Sequence, residues 1–146
     1  MVIGGGVVGC SVLYHLTKLG WSDVVLVERK ELTAGSTWHA AGGFHTLNGD
    51  PNVARLQKYT IDLYQEIQKM TGEPVGMHLT GGINLAATDA WWEFLKNESG
   101  RHKVMGIESE LISPTEIKKL CPIVDITHLR GGIFMADEGH IDPYSI

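Results

Sequence analysis

The sequence predicts an α/β fold that opens on a βαβ unit, with its first two strands parallel. Three observations carry this prediction. Two apolar residues, Val2 and Ile3, run into the glycine cluster Gly4-Gly5-Gly6-Val7-Val8-Gly9. A segment of helical length then follows, Val7 to Leu19, closed by Gly20 where a helix C-terminal glycine belongs. Val24 to Val27 comes next, a compact run of valines and leucine that reads as a second buried strand. Strand, glycine turn, helix and strand in that order make a crossover, which is right-handed in a parallel sheet.

The later elements follow from local signals. Residues 33–49 are rich in glycine and alanine, lack any period, and read as a long loop of the kind kept for binding. Val53, Leu56, Thr60, Leu63, Ile67 and Met70 step by three and four, which predicts an amphipathic helix over Val53 to Met70. Gly81-Gly82 precedes Ile83 to Ala87, a strand. A helix follows from Thr88 to Met105, with Trp91 and Leu95 expected on one face. Ser113-Pro114-Thr115-Glu116 is a capping box with proline at the first helical position, so a short helix runs to Leu120. Gly132 to Ala136 reads as a last strand, and Asp142-Pro143 as a helix cap.

Composition excludes several classes of function. The 146 residues suit one domain, and 43% are hydrophobic. Twelve basic against 17 acidic residues give a net charge of −5, so nothing here neutralises phosphates in a row and nucleic acid is not a partner. The apolar runs fall far short of the ~20 residues that span a bilayer, and no export signal opens the chain. Cys10 and Cys121 match no metal or redox spacing and read as reduced packing residues. His15, His45, His78 and His140 share no ligand spacing either, so no metal is expected. Trp91-Trp92 reads as core, and Arg55, Lys58 and Lys69 as the solvated face of their helix.

The chemistry lies in the glycine cluster. Gly4, Gly6 and Gly9 fit GxGxxG, directly after a strand and opening a helix. Gly4 permits the tight turn, Gly6 lets a pyrophosphate approach the backbone, and Gly9 lets helix and strand pack closely. The free amides and dipole of the helix N-terminus then favour the phosphate charge. Glu28 closes the second strand nineteen residues after Gly9, where a carboxylate can accept both ribose hydroxyls of a dinucleotide. Glycines also collect in ordinary turns, so the pattern counts because of this context. By itself it does not separate NAD from FAD.

The next segment does. VIGGGVVG, VLVERKELTAGSTWHAAG and DEGHIDPYS, in this order, resemble the dimethylglycine and sarcosine dehydrogenases of the D-amino-acid-oxidase-like flavoproteins. The resemblance runs over essentially the whole chain, and GSTWHAAG is its most specific part. It implies a Rossmann-like FAD-binding domain of the glutathione-reductase/D-amino-acid-oxidase type, with the beginning of a substrate-domain insertion. Residues 1–50 would be the dinucleotide-binding βαβ and flavin loop, and 1–146 the amino-terminal, incomplete part of the flavin domain. The cofactor contacts it implies are Gly4, Gly6, Val7, Val8, Gly9, Glu28 and Arg29, then Gly35, Ser36, Thr37, Trp38, His39, Ala40, Ala41, Gly42 and Gly43. His39 maps onto the histidine bonded covalently to the flavin 8α carbon in that family, where a neutral imidazole is the nucleophile and an electrophilic quinone-methide form of the flavin its target. Read without the motif, His39 is a loop histidine stacked on Trp38.

The resemblance further implies oxidative demethylation of N-methylated glycines such as dimethylglycine or sarcosine. Electrons would pass to an electron-transfer flavoprotein or oxygen, and a carboxyl-terminal folate domain outside these residues would take the one-carbon unit. The compartment implied is the mitochondrial matrix in a eukaryote and the cytoplasm in a bacterium. Catalytic residues are not assigned. Two rivals remain. One is a regulatory relative resembling the regulatory subunit of pyruvate dehydrogenase phosphatase, in which the flavin-linking histidine is missing; the other is a NAD-binding dehydrogenase.

Overall fold

The computed structural model describes all 146 residues, and the chain divides into two compact units. The first comprises Met1–Gly42, Pro74–Gly76 and Ile141–Ile146; the second comprises Gly43–Glu73 and Met77–His140.

The first unit opens with β1 (Val2–Ile3), α1 (Val7–Lys18) and β2 (Leu26–Val27). The two strands pair in parallel, Val2 opposite Leu26 and Ile3 opposite Val27, as the βαβ reading requires. Strand β2 is shorter than the Val24–Val27 expected, because β1 offers just two residues to pair with. Helix α1 ends in a Schellman motif: Gly20 takes φ +91°, its N–H donates to the Thr17 carbonyl, and the Trp21 N–H donates to the Leu16 carbonyl. The tail from Asp142 forms a turn rather than the expected helix start. The Asp142 carboxylate accepts from the Tyr144 N–H and the Ser145 hydroxyl, and the Ser145 N–H closes on the Asp142 carbonyl.

The second unit contains β3 (Gly43–Phe44), α2 (Pro51–Thr71), β4 (Met77–His78), β5 (Gly82–Ala86), α3 (Asp89–Met105), β6 (Glu110–Ile112), α4 (Pro114–Leu120), β7 (Gly131–Met135) and β8 (Gly139–Ile141) up to His140, Ile141 being counted with the first. Strands β5, β7 and β6 form an antiparallel sheet with β7 central, running from Gly82 opposite Met135 to Ala86 opposite Gly131. A second sheet has the order β3-β8-β4, with β3 and β8 antiparallel. The core lies where α3 covers the first sheet: Ala86, Leu95, Ile133 and Met135 are buried together, with Trp92 and Leu47 against them. Glu138 is also buried. Its carboxylate accepts the Thr46 and Leu47 amides and so ties that loop to the β7–β8 turn.

Each helix of this unit starts on a side-chain cap. Asp50 accepts from the Asn52 and Val53 amides with Pro51 at N1, Thr88 accepts from the Trp91 amide, and Ser113 and Glu116 close the expected reciprocal box. Two helix faces differ from expectation. On α2 the buried positions are Ala54, Ile61 and Leu63, while Leu56 and Met70 are exposed. The small Ala54 is the residue that gets close, and a pattern weighted by bulk overlooks it. On α3, Leu95 shares its buried face with Trp92, three residues earlier, while Trp91 stacks outside on Phe94. The four strands β3, β4, β6 and β8 are two or three residues long and were not expected; β3 lies within the supposed loop 33–49. Lys58 is not simply solvated, since it pairs with Asp62 and Asp137.

Candidate cofactor site

The expected site residues up to Gly42 lie in the first unit, on the turn after β1, the end of β2 and the segment that follows; Gly43 begins the second unit. Gly4 adopts φ +106°, a backbone state that a side chain would strain. A Cβ at Gly9 would run into the Gly4 carbonyl oxygen, so glycine there lets α1 sit against the turn. Gly6 is the N-cap of α1 and brings no side chain to the first-turn amides, and no acid stands in that turn. That leaves the helix end disposed toward an anion. Val8 and Gly9 supply those amides, while the Val7 N–H is answered by Thr37 Oγ1.

Glu28 sits at the end of β2 with one carboxylate oxygen accepting the Gly5 N–H at 2.7 Å and the other the Lys30 N–H at 3.0 Å. The Gly5 amide and then the Lys30 amide hold its carboxyl below the usual carboxylate range. Each carboxylate oxygen has a second lone pair, so hydroxyl donors such as those of a ribose still find acceptors. Gly5 falls between the glycines of the GxGxxG pattern, yet it is the buried glycine of the cluster: a Cβ there would meet Leu32 and Glu28. Three glycines in a row were the available signal. Arg29 beside Glu28 is exposed.

The flavin-loop motif is fastened to this turn. The Thr33 N–H donates to the Gly5 carbonyl at 2.9 Å, and the Val7 N–H donates to Thr37 Oγ1 at 3.0 Å. Thr33 is buried and has φ +64°, a state costing of order 1–3 kcal/mol for a side-chain-bearing residue and held where its surroundings over-determine it. No propensity signal announces it, since turn chemistry would place glycine or asparagine there. Gly35, Ser36, Trp38, Ala40 and Ala41 are exposed along the loop. Gly42, at φ +76°, accepts from the Ile141 N–H, so the WHAAG and GHIDP motifs meet through backbone.

His39 is exposed, and its ring lies against Trp38 with centroids 4.2 Å apart. Its Nδ1 is 2.8 Å from the Gly35 carbonyl oxygen. A carbonyl accepts and never donates, so Nδ1 carries the proton in this contact, and in the neutral ring Nε2 then carries the lone pair. Of the other histidines, His140 on β8 stands opposite Gly43 on β3. His78 and His140 stack on each other across β4 and β8, His15 contacts the Ser11 carbonyl on α1, and His45 is exposed. Cys10 and Cys121 are free thiols.

The model of the family described as FAD dependent oxidoreductase matches residues 1–146. The chain belongs to that family. Human mitochondrial dimethylglycine dehydrogenase is 40% identical over 146 residues, all of this chain and 17% of that protein. Human mitochondrial sarcosine dehydrogenase is 38% identical over 98% of the chain and 16% of its own length. The mitochondrial pyruvate dehydrogenase phosphatase regulatory subunit of mouse is 37% identical over 94% of the chain and 16% of its own length. Among solved structures, L-proline dehydrogenase from P. horikoshii superposes with a TM-score of 0.88 at 26% identity, over 99% of this chain and 38% of that one. The chain thus spans about one-sixth of the length of the curated relatives. For an FAD-dependent oxidoreductase, the open turn at Gly4, the close approach at Gly9 and the acceptor capacity of Glu28 fit the cofactor's dinucleotide half. No helix is long and apolar enough to cross a membrane.

Proposed function

We propose that the protein to which this chain belongs oxidises the N-methyl group of a small N-methylated glycine, dimethylglycine or sarcosine, with FAD bonded covalently to His39. The observation that carries the reading is the imidazole itself. His39 is exposed in the segment on which the resemblance to those dehydrogenases rests, and its Nδ1–H is engaged by Gly35, leaving Nε2 of the neutral ring as the nucleophile. Identity of 40% with human dimethylglycine dehydrogenase supports the substrate class. When bound, FAD supplies the two-electron oxidation of the substrate's C–N bond. The Val8 and Gly9 amides of α1 would hold the pyrophosphate, Glu28 would accept the ribose hydroxyls, and the small residues Gly35, Ser36, Ala40, Ala41, Gly42 and Gly43 would let the backbone close over the flavin. Electrons would leave to an electron-transfer flavoprotein or to oxygen, and folate would serve a further domain. The matrix of the mitochondrion is the compartment in a eukaryote, in line with the mitochondrial relatives.

The test uses the full-length protein and its His39→Ala variant. After acid precipitation and denaturing electrophoresis, the wild type should fluoresce under ultraviolet light at the mass of the protein, and the variant should release its flavin. A variant that keeps the band would place the link elsewhere, with His45 the next residue to replace. Anaerobic bleaching of the flavin by sarcosine or dimethylglycine, and not by glycine or alanine, tests the substrate class. Bleaching by glycine or alanine alone would overturn it, and a protein without flavin would favour the regulatory reading that the mouse phosphatase subunit raises.

A further inference from the structure

We propose that Thr37 is the positioning residue that holds His39 for bond formation with the flavin, acting through a hydrogen bond between its hydroxyl and the first amide of α1. The inference rests on the covalent reading above. The loop carrying His39 has two ties to the glycine turn. One is backbone, Thr33 N–H to Gly5 carbonyl; the other is a side chain, Thr37 Oγ1 accepting the Val7 N–H across thirty residues of sequence. The second tie stands two residues before the histidine. The Ala40 N–H donates to the Thr37 carbonyl, so a turn anchored at Thr37 contains His39, and Nδ1 of that imidazole is held by Gly35 on the other side.

Gly6 enters the same arrangement. A Cβ at Gly6 would lie 2.9 Å from Thr37 Oγ1, closer than side-chain carbons approach, so glycine at this position makes room for the hydroxyl as well as for a phosphate. The Val7 amide would otherwise be an unpaired donor at a helix end. Valine at 37 keeps the threonine shape and leaves that donor unanswered, whereas serine restores it.

The step being positioned joins Nε2 to the flavin 8α carbon. A methyl C–H and the Nδ1–H break, the two electrons and two protons are taken up by the flavin, and dioxygen reoxidises it with formation of hydrogen peroxide. Such a step depends on placing the nucleophile within contact of one carbon, and a misplacement of about 1 Å costs on the order of a hundredfold.

The experiment prepares full-length apoprotein from riboflavin-starved cells, adds FAD, and follows flavin that stays with the denatured chain. Thr37→Val should lower the linking rate at saturating FAD by about tenfold or more, and Thr37→Ser should recover most of the rate. Hydrogen exchange of residues 33–41 should accelerate in the valine variant and return to the wild-type rate in the serine variant. Linking of Thr37→Val at the wild-type rate overturns the proposal. A wild type that binds FAD but never links it overturns the His39 reading instead. The Thr37 tie is then judged on exchange, and unchanged exchange in the valine variant overturns it.

Discussion

The βαβ turn and the β5–β7–β6 sheet use their apolar residues in opposite ways. No residue of α1 is buried; Val8 is 74% exposed and Ile3 of β1 79% exposed. In the second unit Ala86, Leu95 and Ile133 are each at 0%. The turn is held by polar ties to its backbone rather than by burial: a parallel pair, a left-handed glycine, a carboxylate on an amide, and a helix pressed against a carbonyl. The sheet is held by burial. A parallel two-stranded ribbon with apolar residues on view is of a kind that needs cover on both faces, whereas the antiparallel sheet has already buried one. The candidate site up to Gly42 and the apolar core therefore sit in different units, and substitutions should separate them.

The largest effect is expected from Leu95→Ala. Removing a fully buried leucine from the cluster with Ala86, Ile133 and Met135 should cost about 2–5 kcal/mol in the second unit, read from urea unfolding of the full-length protein. Flavin per folded molecule should stay near wild type. A proportional loss of flavin would mean that the two units do not act separately.

Gly9→Ala is the converse. Its Cβ meets the Gly4 carbonyl oxygen, a backbone atom that cannot rotate away, so the strain should be about 1–3 kcal/mol and fall on the site. Expected is a protein that loses FAD while hydrogen exchange over residues 82–86 and 131–135 is unchanged. Full flavin content in this variant would show that the turn relaxes and that close packing at Gly9 is dispensable.

The same contrast explains what the sequence made legible. The βαβ start, α3 and α4 were readable because each rests on local chemistry: Gly20 past the end of α1, Thr88 and the Ser113–Glu116 box before the later helices. Asp50-Pro51 carried the same kind of signal, and reading it would have started α2 at Pro51 rather than Val53. The short strands were not readable, because β3 and β8 exist through each other and two residues have no period. Within the candidate site the residue types were visible, but the fastening was not. Neither the Thr37 hydroxyl on the Val7 amide nor the left-handed Thr33 follows from local preference, since both depend on a partner thirty or so residues away.

A smaller effect concerns acidity in the second unit. His102 is fully buried on α3, and neither ring nitrogen has a protein partner. Burial lowers its pKa from the usual 6.5, while Glu98 and Glu138 pull it partly back. The unfolded chain therefore takes up a proton near pH 6.5 that the folded chain still refuses. Stability present above that pH should fall as the pH drops toward the lower folded value, by at most about 1.4 kcal/mol per pH unit. His102→Leu should flatten the dependence of the urea midpoint between pH 7 and 5.5. An unchanged slope would assign the acid sensitivity to another group.

The smallest effect is expected where charge rather than burial joins elements of the second unit. Lys58 on α2 reaches Asp62 one turn on at 2.7 Å and Asp137 after β7 at 3.2 Å, with its side chain 31% exposed. The Asp62 carboxylate, then Asp137, raises its pKa against the opposing effect of burial, so the lysine stays charged through the neutral range. Its contribution is present below the unfolded pKa and is lost as pH rises through the folded one, in strongly alkaline solution. Partly exposed pairs are screened, and holding a long side chain in one geometry costs entropy, so the net is about 0–1 kcal/mol. Lys58→Met keeps the alkyl stem and removes the charge. The urea midpoint should drop slightly at low salt, and the gap from wild type should close at high salt as screening shortens the reach of the pair. A loss as large as that of Leu95→Ala, persisting in high salt, would mean that the two ion pairs hold α2 far more strongly than partly exposed pairs do. The second unit would then depend on a charged tie as much as on its apolar core.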